Sequence, residues 1–422
     1  MQGRFDPLAP EYIADPYPAL ATLREEGPVF YEPQLDMWPV TRHEDVKRIL
    51  TDHESFSGAI TQVPFYPLAK EAKEILDAGF HATPTVSNCD PPKHTRVRAF
   101  NVKAFSARRV AGLEPIIRGY TTELLDGAVS RSRFDLVHEL TAPLPAKIVF
   151  SLIGFPESDS EALKALALNR MAFTWGRSTA DEQVRIAGRM VEYWRYCTDF
   201  VAARKEDLQD DFTSDLLRSH LADPTALSVE EIVNVIHAVS FAGHETTTNA
   251  SSSTVQRLLT HREQWEAICA DPLLIPNAVE EGLRFDPSLH TWRKITTRQV
   301  NIGGVDVPAG AKLLLLIGSA NHDPVRFPDP DQFDVHRSNS QQHLTFGRGI
   351  HACFGAPLAR LEMRVMLEEL TARLPHLRLA DDEAVRYHEN ACFRGPVRLW
   401  VDNPAPGLSQ HGARDQPDRS AQ

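Results

Sequence analysis

At 422 residues, with 42% hydrophobic and 24% charged residues, the chain is long enough for a large core and has an ordinary globular balance. Its formal net charge of -12 argues against general nucleic-acid binding, because phosphate contacts want a basic footprint. Five cysteines, Cys89, Cys197, Cys269, Cys353 and Cys392, lie far apart with no close pair for zinc or a dithiol. An odd count without a secretory signal points to a reducing compartment. The first ten residues lack a charged start followed by an apolar stretch, and no run approaches the roughly 20 apolar residues of a membrane span. The expectation is a cytoplasmic protein without a membrane anchor.

In chain order, short strands are predicted at 29–31 and 37–41. One long helix is predicted at 228–259. Ser228 caps it and Glu231 completes a capping box, and its length is on the order of 45 Å. A second helix follows Pro276, carries Glu281 and Arg284, and stops before Asp286-Pro287. Strands at 300–302 and 312–317 follow, with Gly303-Gly304 as a hairpin turn. A third helix is predicted at 357–373. The fold class is mainly α with a minor β region. Residues 1–403 read as one domain, and the tail at 404–422, rich in Pro, Gly, Ser, Gln and charge, reads as disordered.

The sharpest local signal is Phe346-Gly347-Arg348-Gly349-Ile350-His351-Ala352-Cys353-Phe354-Gly355. A buried thiolate needs donors around it, and glycines let backbone N–H groups approach the sulfur. The helix that follows points its positive end at Cys353. A lone cysteine in a Gly-rich turn is usually inert packing. Here three glycines, a histidine and an aromatic residue at fixed offsets weigh against that. In the middle of the long helix, Ala242-Gly243-His244-Glu245-Thr246-Thr247 is poor helix chemistry and suggests an irregular, functional kink. Ala242 and Thr246 share a face.

The ten-residue loop resembles the haem-binding loop of the cytochromes P450, F-G-x-G-x-H-x-C-x-G, and the long-helix segment is similar to that family's A-G-x-[D/E]-T. The resemblance implies the P450 fold, with the long helix crossing over haem b and Cys353 as the axial iron ligand. It implies proton delivery by Glu245 and Thr246, and Ala242 and Phe346 beside the cofactor. His244 holds a variable position and reads as packing or surface. Glu281 and Arg284 resemble the family's E-x-x-R pair, with Arg337 closing a structural triad. Glu280 does not fit, since its i+3 neighbour is Leu283. His94, Arg98, Arg293 and His351 resemble the partners of the haem propionates. Cys89 reads as packing.

The implied activity is a monooxygenase inserting one atom of O2 into a C–H bond of a hydrophobic small molecule, by hydroxylation or oxidative dealkylation. A peroxide-driven peroxygenase on the same fold and a non-catalytic haem sensor are the alternatives. Substrate contacts are expected from 60–86, the region of Phe173 and Trp175, Val235, Ala238 and Val239 on the long helix, and Leu289 and Phe393. No nicotinamide, flavin or iron–sulfur signature is present, so electrons come from outside. A ferredoxin or flavodoxin-type donor, or a fused reductase that is not in this chain, fits. Lys103, Arg108, Arg109, Arg348, Arg360 and Arg364 form a candidate basic docking face, and read equally as solvated helix surfaces. Nothing suggests an obligate oligomer, so a monomer is expected.

Overall fold

The computed structural model describes residues 5–167 and 170–404. All of the expected disordered tail beyond Pro404 lies outside the described residues. The axis of the molecule is the helix Val229–Thr260. The Ser228 hydroxyl accepts from the Glu231 N–H at 3.1 Å, and the Glu231 carboxylate accepts from the Ser228 N–H at 3.1 Å. Its 32 residues reach about 48 Å. Helices Pro143–Ile153, Ala180–Glu206 and Ile275–Phe285 pack along it. Ile236, Val255, Leu258, Val279, Leu283 and Leu367 belong to the main core that results.

The segment 242–247, where a kink is expected, remains helical throughout. Two contacts accompany it. The Thr246 hydroxyl donates back to the Ala242 carbonyl at 2.8 Å, a bond that a helix accommodates and that often bends it. Gly243 serves a close helix crossing, since a Cβ there would stand 2.5 Å from Cγ2 of Val149.

A four-stranded sheet contains β1 (Trp38–Val40), β2 (Phe56–Ser57), β3 (Thr291–Thr296) and β4 (Lys312–Leu316), in the order β1-β4-β3-β2. β1 and β4 are parallel. β3 runs antiparallel to both neighbours, with Arg293 opposite Leu314. Val40, Ile49, Phe56, Leu313 and Leu315 form a second core beneath it. The expected strand at 29–31 reduces to bridges, Val29 to Val40 and Glu32 to Met37, because the chain reverses at Asp36 with φ 51°. Strands Val300–Ile302 and Val305–Val307 pair across Gly303 and Gly304, whose φ values of 55° and 92° suit a tight hairpin that only glycine adopts readily. A three-stranded sheet of Arg133–Asp135, Trp400–Asp402 and Arg378–Leu379 had no clear sequence signal. Among the described residues no helix is long and apolar enough to cross a membrane.

Candidate functional site

The cysteine loop is tied by its own backbone. The Cys353 N–H donates to the Phe346 carbonyl at 2.8 Å and the Ala352 N–H to the Gly349 carbonyl at 3.1 Å. Gly349 has φ 70°, and a Cβ on it would lie 2.7 Å from the Leu50 carbonyl oxygen, so the loop closes only with glycine there. Backbone N–H groups of Gly355 and Ala356, at the start of helix Ala356–Arg373, donate to the thiol. Burial pushes the Cys353 thiol up, while these N–H bonds and the charges of Arg98 and Arg360 act against it. Cys353 is nonetheless accessible.

The central helix has an accessible stripe in the middle of an otherwise buried length. Ala242 is exposed, and Ala238, Phe241, Glu245 and Thr246 are part-accessible, all on one helical face. Val235 and Val239, expected on this face, are 1% and 7% exposed within the main core. The segment around Thr83 covers that end of the helix, its N–H donating to Asn234 Oδ1 at 2.7 Å. Glu245 Oε1 lies 3.6 Å from His244 Nε2. Burial would raise the Glu245 pKa. The nearby His244 ring, then His388, outweigh it and hold the carboxyl below its ordinary value. His244 is buried, with Nδ1 donating to the Ser240 carbonyl at 2.8 Å, so it packs as expected and also touches Glu245. His388, 143 positions from Glu245, carried no local signal.

Beside the cysteine loop stands a group of buried donors. His94 is 1% exposed, its ring 4.4 Å from that of His351, and neither of its nitrogens has a hydrogen-bond partner. His351 donates from Nδ1 to the Val86 carbonyl at 3.0 Å, and its Nε2 has none. Arg98 donates to the Ala352 carbonyl and lies 5.8 Å from the Phe354 ring centroid. Lys294, which sequence reasoning passed over, is 1% exposed and acts electrostatically on both histidines. Burial pulls its ammonium down to about 8, against the charge of Asp90. A charged residue in a strand buried on both faces is the signal that was available. Burial, then Lys294 and His94, brings His351 down to about 4.

Arg293 occupies the other face of β3, as alternation along a strand requires. Its guanidinium donates to the Thr61 carbonyl at 3.1 Å and to that of Val63, lies 3.9 Å from the Trp175 ring centroid, and leaves Nε unpartnered. Burial lowers it to about 10. Leu289 and Phe393 meet in a backbone bridge and pack with Met171, Trp175 and Cys392. Phe173 joins a different cluster, with Ala72 and Met190.

The residues Glu281, Arg284 and Arg337 come together. Glu281 Oε2 accepts from Arg284 Nε at 2.8 Å and Oε1 from Arg337 Nε at 3.1 Å, with Glu281 and Arg284 fully buried. The remaining guanidinium donors reach the carbonyls of Asn321, Pro328, Asp329, Pro330 and Gln332. Glu280 points elsewhere, to Arg360 at 3.0 Å and His343 at 3.2 Å. Of the expected basic face, Arg360 is thus neutralised, as are Arg364 by Glu114 and Glu368 and Arg109 by Asp215. Lys103 and Arg108 are exposed and make no ion pair with the described residues.

These residues fit a haem. A thiol with backbone N–H donors would supply the ligand, and His94 and Arg98 with Lys294 would supply donors and positive charge for its carboxylates, with the open Nε2 of His351 beside them. The helical fold and this loop define the haem-thiolate class. The cytochrome P450 family profile matches residues 272–381. Cytochrome P450 107B1 of Saccharopolyspora erythraea is 36% identical over 87% of this chain and 89% of its own length. The cytochrome P450 monooxygenase PikC of Streptomyces venezuelae is 34% identical over 93% and 92%. Among solved structures, cytochrome P450 CREJ in complex with (4-ethylphenyl) dihydrogen phosphate superposes with a TM-score of 0.91 at 37% identity, covering 93% of this chain and 98% of that one. An intact type IV self-sufficient cytochrome P450 monooxygenase gives 0.91 at 38% identity, with 99% of this chain matched to 55% of that longer one. The chain belongs to the cytochrome P450 family and is a haem-thiolate monooxygenase.

Proposed function

We propose that residues 1–403 act as one unit, a monomer, that inserts one atom of O2 into a C–H bond of a hydrophobic small molecule, with haem b as cofactor and electrons from an external donor. The observation that carries this reading is the accessible stripe of the central helix, where an ionised acid and an alcohol, Glu245 and Thr246, adjoin the small side chain of Ala242. Once bound through Cys353, the haem supplies oxygen activation, which thiolate ligation favours.

The chain's own residues do the rest. His94, Arg98 and His351 hold the propionates together with Lys294, whereas Arg293, on the other face of β3, packs on Trp175 instead. Phe346, at the start of the cysteine loop, lies beside the cofactor, as does Ala242. Glu245 takes protons from the solvent side and Thr246 passes them to the cleft, its hydroxyl turning from the Ala242 carbonyl. Leu289, Phe393 and Trp175 exclude water and bind an apolar substrate. The erythromycin C-12 hydroxylase of Saccharopolyspora erythraea, 36% identical over 88% of this chain, supports hydroxylation. Lys103, Arg108 and Arg348, the last bonded to the carbonyls of Gln341 and His343 and to no carboxylate, are the cations that steer an acidic ferredoxin or flavodoxin-type donor, or a fused reductase domain.

The test is made on the purified haem-loaded protein. The reduced carbon-monoxide complex should carry the thiolate spectrum, and a Cys353→His variant that keeps it would refute the ligand assignment. Product should form with a reductase system and O2. Equal rates with hydrogen peroxide alone would instead establish a peroxygenase, and absence of oxygen consumption with every donor a sensor.

A further inference from the structure

Arg170 is a part-buried cation beside the accessible stripe of the central helix, and no carboxylate among the described residues pairs with it. Arg170 opens the short helix Arg170–Trp175. Its guanidinium lies 4.6 Å from the ring centroid of Phe241, the residue before Ala242. Nη1 donates to Nε2 of His237 at 3.3 Å. That imidazole is 2% exposed and ringed by Phe80, Tyr193 and Trp194 at 5.4 to 5.5 Å. Burial, then the charge of Arg170, holds it neutral, so it accepts a hydrogen bond and offers no charge.

The other groups that act on Arg170 are Tyr193 and Cys197, with no carboxylate among them. Burial pushes both well above their ordinary values, so they too are neutral. Burial draws the guanidinium down only to about 10, which leaves it charged at neutral pH. Arg170 also keeps accessible surface. An uncompensated interior cation is destabilising unless something of opposite charge comes to it. The Phe241 ring beneath it packs in turn against the apolar group of Met171, Trp175, Cys392 and Phe393.

We propose that Arg170 anchors a substrate subsite for an oxyanionic group, a carboxylate or a phosphate monoester, on a compact hydrophobic body that rests against Phe241, Met171 and Trp175. The proposal rests on the monooxygenase reading above and names its substrate class. A guanidinium suits such a group because its planar fork meets two oxygens at once. The aromatic face of Phe241 keeps the fork in place before the substrate arrives.

The experiment uses the full haem-loaded chain, after its reduced carbon-monoxide spectrum has shown the thiolate ligand. 4-Ethylbenzoate, 4-ethylphenyl phosphate and the neutral 4-ethylbenzyl alcohol are titrated by the spin-state shift and by calorimetry. At least one anion should bind about tenfold or more tightly than the alcohol, and the tighter of the two separates carboxylate from phosphate. Arg170→Gln should weaken that anion about tenfold to a hundredfold and leave the alcohol unchanged, with Arg170→Lys in between. Without ligand, Arg170→Gln should melt no lower than the parent, and the anion should raise the melting temperature of the parent only. Equal binding of anions and alcohol by the parent, no anion binding at all, or equal loss of both ligands in Arg170→Gln overturns the subsite. Absence of the thiolate spectrum sinks the monooxygenase reading instead.

Discussion

Glu245 keeps its charge inside the protein because His244, one residue before it, stands 3.6 Å from its carboxylate, with His388 also acting on it. Thr246 stands next to it with a hydroxyl already engaged by the Ala242 carbonyl. A relay built this way predicts a split effect. Thr246→Ala should lower product per electron consumed, with substrate affinity unchanged, and the ratio of product to donor oxidised measures it. Glu245→Gln removes the ionisable group and should slow turnover about a hundredfold, within the range of general acid–base catalysis. A variant of Thr246 with full coupling defeats the assignment. At this scale the sequence was legible where chemistry is contiguous, as in the loop ending at Cys353 and the segment 242–246. It was silent on Lys294 and His388, which reach the site from other segments and share no spacing with it.

The central helix is held by contacts that tolerate little. Gly243 admits Val149 so closely that Gly243→Ala forces one of the two elements to shift. We expect a loss of about 1–3 kcal/mol, read by urea denaturation, and partial recovery when Val149→Ala is added. The triad is more demanding. Glu281 is the shared anion of two arginines in a fully buried setting, so Glu281→Ala leaves both cations uncompensated and should cost about 3–5 kcal/mol. The spectrum of any folded fraction should be unaltered, since the triad touches carbonyls and not the cysteine loop. The helix ends were readable because a capping box and Pro276 mark them. The role of Gly243 was not, because propensity cannot see Val149 across the crossing.

Over the whole molecule, ion pairs redistribute an excess of negative charge. The carboxylate of Glu280 is pushed up by burial, yet hydrogen bonds from His343 and Arg360 hold it at about 2. Its folded-state value lies below its unfolded one. The stabilisation is therefore complete above the ordinary glutamate range near 4.5 and lost as the pH falls through about 2. That window is worth about 3 kcal/mol at neutral pH. Acid titration of the melting temperature should be shallower below pH 4 in Glu280→Gln than in the parent. The same pair withdraws Arg360 from the expected docking face, which composition could not foresee because counting cations says nothing of their partners. The architecture itself was legible, since periodicity and motif order extend over most of the chain. The bounds of the small sheets, set by long-range pairing, were not.

His94 and His351 also carry a thermodynamic consequence. Their unpartnered ring nitrogens, with Lys294 beside them, are polar groups that the polypeptide encloses but does not satisfy. A molecule that meets them binds the folded chain and not the unfolded one, so by mass action the folded population rises with the supply of that molecule. In a cell short of haem, this protein should be lost to proteolysis as well as inactive. Its abundance, and not only its activity, then becomes a readout of cofactor availability.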